Sequence, residues 1–224
     1  MNKKGRLIVF EGADGSGKTT QSKLLVSYLS KNSIPNEYIS FPRYDDSMWA
    51  AMVKRYLLGE FGGINDVDPY FGSMLYAGDR MSARDEINKW LDDGKKVVAN
   101  RYTPSNMAHM GAKLASQSEQ SKYIEWLGKL EYGENRIPRE DLVLFLHVPI
   151  DVSKKLMDKR VKDIHENDFK YLEKVVNVYK WLAGELKHWE TVECTESGKI
   201  IPPAEINKKV LEVLKRRDIL RTKK

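Results

Sequence analysis

Cysteine is nearly absent from this sequence: Cys194 is the only one in 224 residues, which excludes a fold held by internal disulfides. Long apolar runs are missing too, because the longest, residues 142–150, is interrupted by His147 and is too short to span a membrane. The N-terminal residues also lack the apolar pattern of a signal peptide. These absences predict a soluble protein of a reducing compartment, and we expect it in the cytoplasm.

The sequence also lacks any motif typical of nucleic-acid recognition, although its formal net charge is +6. Most of the excess lies in residues 215–224, which hold six basic residues and one acidic residue. A solvated basic tail accounts for this charge. We therefore expect neither a nucleic acid nor a membrane as a partner.

What the chain does contain is a glycine-rich segment, Gly12–Thr19, that fits the phosphate-loop pattern G-x-x-x-x-G-K-[ST]. An apolar run precedes it at Leu7–Phe10 and a helix-like run follows it, which is the strand–loop–helix order that such a loop requires. Glycines let backbone N–H groups surround phosphates, Lys18 adds positive charge, and the Thr19 hydroxyl is placed to hold Mg²⁺. The predicted ATP-binding residues are Gly12, Ala13, Asp14, Gly15, Ser16, Gly17, Lys18, Thr19 and Thr20.

Strand-like and helix-like segments alternate along the chain, which predicts βαβ units and a parallel sheet. The predicted strands are Leu7–Phe10, Glu37–Phe41, Lys96–Asn100, Leu142–Val148 and Thr191–Cys194. The predicted helices include Lys18–Lys31, one from Pro69 to Asp93, one at Met107–Leu114 and one that starts near Asp151 as its N-cap. We predict an α/β, P-loop three-layer sandwich: a five-stranded parallel sheet flanked by helices, with a short lid, in one domain over residues 1–224.

Ligands of such sheets bind beyond the carboxyl ends of the strands. This rule predicts that the residues at Gly12, Phe41, Asn100 and Val148 line one cleft.

The sequence argues against two large classes of phosphate-loop protein. A GTPase would carry Asn-Lys-x-Asp, but none of the Asn-Lys pairs at 2–3, 88–89 and 207–208 is followed by Asp at the required position. An ATPase would show an apolar strand ending in Asp, whereas Val97–Asn100 ends in Asn. The remaining motifs favour a small-molecule kinase.

Five segments follow one another at a characteristic spacing: Phe10–Thr20, Phe41–Tyr44, Tyr76–Arg80, Asn100–Asn106 and Asp163–Asp168. On these motifs the chain, from residue 7 to about 180, resembles the thymidylate kinase family of nucleoside monophosphate kinases. That family uses ATP and Mg²⁺ to phosphorylate dTMP to dTDP, a step of dTTP biosynthesis. The resemblance implies the same activity, with ATP as co-substrate and Mg²⁺ as cofactor.

The resemblance implies a set of residues around the acceptor sugar and phosphate. Asp14 would take the 3′-hydroxyl of the sugar and lie near Mg²⁺, while Phe41, Arg43 and Tyr44 would line the acceptor. Arg101 would bind the acceptor phosphate, because a guanidinium fork suits a phosphate monoester.

A second set would recognise the base. Tyr76 and Arg80 lie four residues apart and share a helix face. In the family an aromatic ring here stacks on thymine and the Arg reaches a base carbonyl. Ser105 and Asn106 would face the pyrimidine edge, and the Asn amide can pair with a ring N–H and an adjacent carbonyl together.

The resemblance places a mobile lid at about residues 158–168. Some relatives carry an Arg directly after the phosphate-loop Asp, but that position is Gly15 here. A lid cation must then cover the transferred group, and Lys159, Arg160 and Lys162 are candidates, with Arg160 favoured. The predicted catalytic residues are Lys18, Arg101, Arg160 and Asp14.

The lid also supplies predicted contacts to the acceptor and the metal. His165 would meet dTMP, where relatives have Tyr more often, and Glu166 would join Thr19 and Asp14 as a Mg²⁺ ligand.

One residue departs from the family pattern: Asn100 stands where relatives have the Asp of Asp-Arg-Tyr, a residue thought to organise Mg²⁺. His109, His147 and His188 lack metal-like spacing and are interpreted as structural. A homodimer through helices that flank the acceptor site, including those at about 70–90 and 107–114, is expected from the family.

Three alternatives stay open. The acceptor could be dUMP, dCMP or several pyrimidine monophosphates. A deoxynucleoside kinase would need a general base, for which Glu11 is the only obvious candidate. A non-catalytic nucleotide-binding protein is suggested by Asn100 but opposed by the intact Lys18, Thr19 and Arg101.

Overall fold

The computed structural model describes residues 5–44, 46–157 and 169–220. Its strands are β1 (Arg6–Glu11), β2 (Asn36–Ser40), β3 (Lys96–Asn100), β4 (Leu142–His147), β5 (Trp189–Glu193), β6 (Thr195–Glu196) and β7 (Lys199–Ile200). Its helices are α1 (Lys18–Lys31), α2 (Met48–Leu57), α3 (Pro69–Ser82), α4 (Arg84–Asp92), α5 (Thr103–His109), α6 (Gln117–Gly128), α7 (Ile150–Met157), α8 (Phe169–Glu185) and α9 (Pro203–Arg216). No helix in these ranges has both the length and the apolar character needed to cross a membrane.

Strands β1 to β5 form one parallel sheet in the order β2-β3-β1-β4-β5. Leu7 is in register with Val97 of β3, and Ile8 is in register with Leu142 of β4. The short strands β6 and β7 pair antiparallel as a separate hairpin. The predicted five-stranded parallel sheet flanked by helices is confirmed.

The central strands are buried on both faces, as near-continuous apolar strands should be in a parallel sheet. Because strand side chains alternate, Val9 and Phe145 face one core and Ile8 and Leu144 face the other. The first core packs under α4, α5, α6 and α8, and the second under α1 and α9. Two helical layers therefore enclose the sheet. Because its five strands are parallel, their carboxyl ends all lie at one edge.

Three of the helix predictions differ from the structure. The helix predicted from Pro69 to Asp93 is two helices, α3 and α4, separated at Ala83. The Ser82 hydroxyl donates to the carbonyl of Gly78 and Ala83 N–H bonds to Arg80 O, contacts that tighten and bend the end of α3. Helix α7 begins at Ile150, so Asp151 lies in its first turn and is not its cap.

The segment predicted as an exposed helix at 107–114 also differs. Helix α5 ends at His109, and a 3₁₀ turn continues at Gly111–Lys113. Met107 and Met110 are buried in the core, so this segment does not expose the apolar surface that the sequence led us to expect.

Helix α6 starts with a capping box, in which Ser116 and Glu119 bond to each other's backbone N–H groups. The helix then passes into a π-helical segment at Lys129–Glu134. Such segments are rare and are often found at functional sites. This one lies behind the cavity described next.

Candidate active site

The glycine-rich loop connects β1 to α1 as predicted. Gly12, Gly15 and Gly17 all have positive φ angles, of 145°, 79° and 89°. A Cβ atom on Gly12 would come within 2.6 Å of the Leu146 carbonyl oxygen, so only glycine fits there. Helix α1 has no side-chain N-cap, which leaves its first N–H groups and the positive end of its dipole directed at the loop.

Lys18 lies folded over this loop. Its ammonium group donates to the carbonyls of Gly12 and Ala13 at 3.0 and 2.9 Å. The same nitrogen is 3.7 Å from Oδ1 of Asp14. The lysine is 7% exposed, so its charge is held at the loop by short-range contacts.

Asp14 and Arg101 form an ion pair across the cleft. Arg101 directly follows β3 and adopts a φ of 65°, with its N–H bonded to Phe10 O. Its Nη1 also lies 3.4 Å from Ser105 Oγ and 3.3 Å from His109 Nε2. His109, interpreted from the sequence as structural, therefore belongs to the site.

Glu11 lies behind Arg101 and is fully buried. Its carboxylate accepts bonds from Tyr102 N–H, Ser105 Oγ and Tyr179 Oη at 2.7 to 2.8 Å. Burial raises the pKa of Glu11 above its ordinary value, although the Arg101 charge and these donors lower it. The carboxylate thus fixes the turn that carries Arg101 and Ser105.

The segment after β2 is held by Asp79. Its carboxylate accepts from the backbone N–H of Arg43 at 2.9 Å, from Arg43 Nε at 3.1 Å and from Ser47 Oγ at 3.3 Å. Phe41 and Tyr44 line the cavity that is described below. Arg43 is turned onto Asp79 and lines a neighbouring surface pocket.

Tyr76 and Arg80 of α3 both line the same cavity as Phe41 and Tyr44. The ring of Tyr56 meets the ring of Tyr76 edge-on, with centroids 6.3 Å apart. Arg80 is 1% exposed, and its Nε and Nη2 both donate to Oε1 of Glu131.

Asn106 stands opposite, on α5. Its side-chain Nδ2 donates to Ser73 O at 3.3 Å, and its backbone carbonyl accepts from Tyr123 Oη at 3.2 Å. Tyr123 and Ser73 share a further hydrogen bond of 2.6 Å between their hydroxyls. Helices α3, α5 and α6 are therefore tied together on this side of the cavity.

Asn100 ends β3 beside the phosphate loop. Its Nδ2 donates to Thr19 Oγ1 at 3.2 Å and to Ser40 Oγ at 3.0 Å. Its Oδ1 is buried and has no hydrogen-bond partner among the described residues. A neutral amide can donate to both hydroxyls at once, which an Asp at this position could not do.

These residues surround one cavity of about 380 Å³ at the carboxyl edge of the sheet. Its walls consist of Asp14, Thr19, Ser40, Phe41, Pro42, Tyr44, Leu57, Tyr76, Arg80, Asn100, Arg101, Tyr102, Ser105, Asn106, His109 and Met110. The cavity runs from the phosphate loop to the aromatic ring of Tyr76. The cleft expected at the ends of the strands is thus present at Phe41 and Asn100, whereas Gly12 and the buried Val148, also predicted there, do not line it.

A layer of buried acids lies behind the cavity. Tyr132 Oη donates to both carboxylate oxygens of Glu140 at 2.9 Å. Burial raises the pKa of Glu140 to about 7, and the nearby charges of Glu131 and Glu11 add to the rise.

The sequence interpretation did not single out Glu131 or Glu140. One signal was present for Glu131, since it follows Tyr123 and Leu127 at intervals of four on the buried face of α6. A carboxylate at such a position requires a buried cation. Glu140 carried no comparable signal.

Three predicted residues, Arg160, His165 and Glu166, lie outside the described residues, together with the lid that contains them. Among the residues that are described, no three His, Cys, Asp or Glu side chains are grouped as a metal site.

Comparisons with known proteins agree with this geometry. A family model described as thymidylate kinase matches residues 10–201. A thymidylate kinase of Plasmodium falciparum (isolate 3D7) is 30% identical over 193 residues, which cover 86% of this chain and 84% of the relative. The solved thymidylate kinase of Candida albicans superposes with a TM-score of 0.78 at 20% identity, covering 97% of this chain and 94% of that one.

Proposed function

This chain belongs to the thymidylate kinase family, and we propose how its cavity carries out that family's reaction, the transfer of the γ-phosphoryl group of ATP to dTMP. The chain is an ATP-dependent nucleoside monophosphate kinase. The observation that carries the proposal is one continuous cavity with a phosphate loop at one end and Tyr76, Arg80 and Asn106 at the other.

The donor end would hold ATP through the N–H groups of Gly12–Thr20 and the ammonium of Lys18. Lys18 is already within 3.0 Å of two loop carbonyls, so only a short movement would bring it to the outer phosphates. Phosphoryl transfer needs alignment and neutralisation of charge more than covalent chemistry. Arg160 of the lid remains our candidate for the cation over the transferred group.

The acceptor phosphate would bind Arg101. In the structure Arg101 pairs with Asp14, which supports a role for both at the junction of donor and acceptor. Phosphate would take the guanidinium from Asp14, freeing this carboxylate for the 3′-hydroxyl of the sugar. The attacking group is the phosphate itself, largely ionised near neutral pH, so no strong general base is needed.

The base would lie on Tyr76, with Arg80 directed at a carbonyl and with Ser105 and Asn106 at the pyrimidine edge. Ser105 donates its hydroxyl hydrogen to Glu11, so in this proposal Asn106 supplies the donor to the base. Arginine donors favour thymine over cytosine, because cytosine presents an amino group where thymine presents a carbonyl.

Mg²⁺ fits the oxygen donors beside the loop. Thr19 Oγ1 lies 3.2 Å from the Asn100 amide nitrogen, and Thr19, Asn100 and Asp14 all line the cavity. Mg²⁺ prefers such oxygen ligands and keeps several waters. When bound, the ion would neutralise charge on the phosphate oxygens. Thr19, Asp14 and Glu166 are our proposed ligands, with Asn100 in support.

A homodimer is supported by an apolar surface on α2, α3 and the segment between them. The large exposed side chains there are Met48, Trp49, Leu58, Phe61, Phe71, Met74 and Met81. Helices α2 and α3 pack against each other, and large exposed apolar patches mark interfaces more often than scattered apolar residues do. Sedimentation analysis at micromolar concentration tests this part. We also propose one kinase domain over residues 1–224, with its lid at 158–168, and a cytoplasmic location.

The acceptor is tested by measuring ADP release from ATP and Mg²⁺ with dTMP, dUMP, dCMP, dGMP or thymidine. We expect the fastest release with dTMP, slower release with dUMP and none with thymidine. Equal rates with all monophosphates would contradict the base contacts. Activity with thymidine would indicate a deoxynucleoside kinase, which the three donors on Glu11 make a poor alternative because they occupy its carboxylate.

A further inference from the structure

Arg80 reaches the cavity with its charge already matched by Glu131. The carboxylate is fully buried, and Arg80 Nε lies 2.8 Å from its Oε1. Nη2 donates to the same oxygen, and Nη1 lies 3.4 Å from Tyr102 O. One oxygen therefore fixes two of the three guanidinium nitrogens and sets the plane of the group.

The pair is poorly built for stability alone. Glu131 Oε2 is buried and has no hydrogen-bond partner among the described residues. Buried ion pairs can often be replaced by apolar residues without loss of stability, and an unsatisfied carboxylate oxygen adds a cost. Because Arg80 of this pair lines the cavity, these conditions point to a role in binding.

The chain places this carboxylate through an unusual backbone. Tyr123 and Leu127 fill the buried face of α6, and Glu131 continues that face within the π-helical segment Lys129–Glu134. The same face bonds to Asn106 through Tyr123. The α6–π unit thus supports two of the four residues that our proposed function places around the base, Arg80 through its side chain and Asn106 through its backbone carbonyl.

We propose that Glu131 is a positioning residue that sets the base selectivity of the acceptor cavity by holding Arg80; this rests on the proposed binding of dTMP. With Nε and Nη2 bound to Glu131 and Nη1 facing Tyr102 O, the guanidinium plane is held in one orientation at the cavity. The ion pair also keeps this end of the cavity close to neutral. A neutral carbonyl-bearing base is favoured over an amino-bearing base or an additional anion.

The test compares the wild type with Glu131→Gln, Glu131→Asp and the control Glu125→Gln. Glu125 is an exposed residue of the same helix that pairs with Lys129. The measurements are KM for dTMP and for ATP, kcat, the dTMP/dCMP ratio of kcat/KM, and the inhibition constant of 2-deoxyribose 5-phosphate. This last probe has the sugar and phosphate of dTMP but no base.

We expect Glu131→Gln to raise KM for dTMP by about tenfold or more and to lower the dTMP/dCMP ratio by a similar factor. KM for ATP, kcat and the inhibition constant of the sugar phosphate should stay within about twofold. Glu131→Asp, which keeps the charge, should recover part of the loss, and Glu125→Gln should match the wild type.

An unchanged KM for dTMP would overturn the proposal. A parallel rise in KM for dTMP and in the inhibition constant of the sugar phosphate would also overturn it, since that indicates general deformation of the cavity. If Glu131→Gln does not fold, Glu131→Asp gives the same comparison. If the wild type does not phosphorylate dTMP, the proposed function fails, and calorimetric binding of dTMP against the sugar phosphate still decides the role of Glu131.

Discussion

The two ends of the cavity are built in different ways. The proposed donor end comes from one continuous segment, Gly12–Thr20, and the binding groups we propose for it are backbone N–H groups and Lys18. The proposed acceptor end is assembled from side chains on α3, α5 and the turn after β3, and buried groups hold two of them: Glu131 holds Arg80, and the Ser73 carbonyl accepts a hydrogen bond from Asn106 Nδ2.

This difference separates reaction from selectivity. Every nucleoside triphosphate presents the same phosphates, so a backbone loop suffices to hold them. A base differs from another base by single polar groups, so its recognition requires side chains fixed in direction. We therefore expect changes at the donor end to reduce kcat, and changes at the acceptor end to act on acceptor affinity or on stability.

The largest effect on activity is expected when the donor end is disrupted. Lys18→Ala removes the cation that would neutralise the outer phosphates, and we expect kcat to fall about 10³-fold, or roughly 4 kcal/mol. The affinity for dTMP, measured by calorimetry, should change less than twofold because the acceptor contacts remain. Lys23→Ala, an exposed position on the same helix, serves as the control. A variant that retains kcat would remove Lys18 from the mechanism.

The next effect concerns the acids behind the acceptor end. Glu140 has an ordinary pKa of 4.5 and a folded pKa of about 7. Between these values the folded protein holds a proton that the unfolded chain has lost, so the free energy of unfolding falls as pH rises from 4.5 through 7. The total loss is about 3 kcal/mol.

Glu140→Gln should remove this loss, so the variant gains stability relative to the wild type as pH rises. Urea unfolding at a series of pH values measures the difference. Glu134→Gln changes an exposed residue of the π-helical segment and should leave the pH profile unchanged. A constant difference between Glu140→Gln and the wild type across this range would contradict the buried-acid account.

A smaller effect is expected where the two ends meet. Arg101→Lys keeps the charge but loses the two-pronged contact with phosphate, and we expect kcat/KM for dTMP to fall about 30-fold, or roughly 2 kcal/mol. KM for ATP should stay within about twofold if Arg101 serves the acceptor. An equal rise in both KM values would instead assign Arg101 to the donor end.

The smallest effect is expected at the proposed Mg²⁺ site, on the Mg²⁺ dependence of the rate. Asn100→Asp adds a charge beside Thr19, and we expect the Mg²⁺ concentration for half-maximal rate to fall by up to about tenfold. The hydroxyls of Thr19 and Ser40 can rotate and donate to the new carboxylate, so the fold should tolerate it. Titration of the rate with Mg²⁺ at saturating ATP measures this. An unchanged Mg²⁺ dependence would show that position 100 does not act on the metal.

The two ends were also unequally visible in the sequence. The strands, their parallel arrangement and the phosphate loop could be predicted, because apolar runs and glycine spacing are local signals. The break at Ala83 was not predicted; it coincides with the bond from Ser82 Oγ to Gly78 O and the bond from Ala83 N–H to Arg80 O. Glycine or proline at the break would have signalled it.

At the acceptor end the lining residues Tyr76, Arg80, Asn106 and Arg101 could be proposed only through the resemblance to a family. Their partners could not, because Glu131 lies 51 residues from Arg80 in the chain and no local pattern relates the two. His109 was missed for a different reason: it lies only eight residues from Arg101, but their contact depends on the turn that Glu11 holds. Long-range pairing of buried charges is a property of the assembled core.

The most direct test of the account is a competition for labelled phosphate. The protein is given ATP labelled in the γ-phosphoryl group, Mg²⁺ and equal concentrations of dTMP, dUMP, dCMP and thymidine, and the products are separated. We predict label mainly in dTDP, less in dUDP and none on thymidine. Label spread evenly over the diphosphates, or found only in inorganic phosphate, would contradict it.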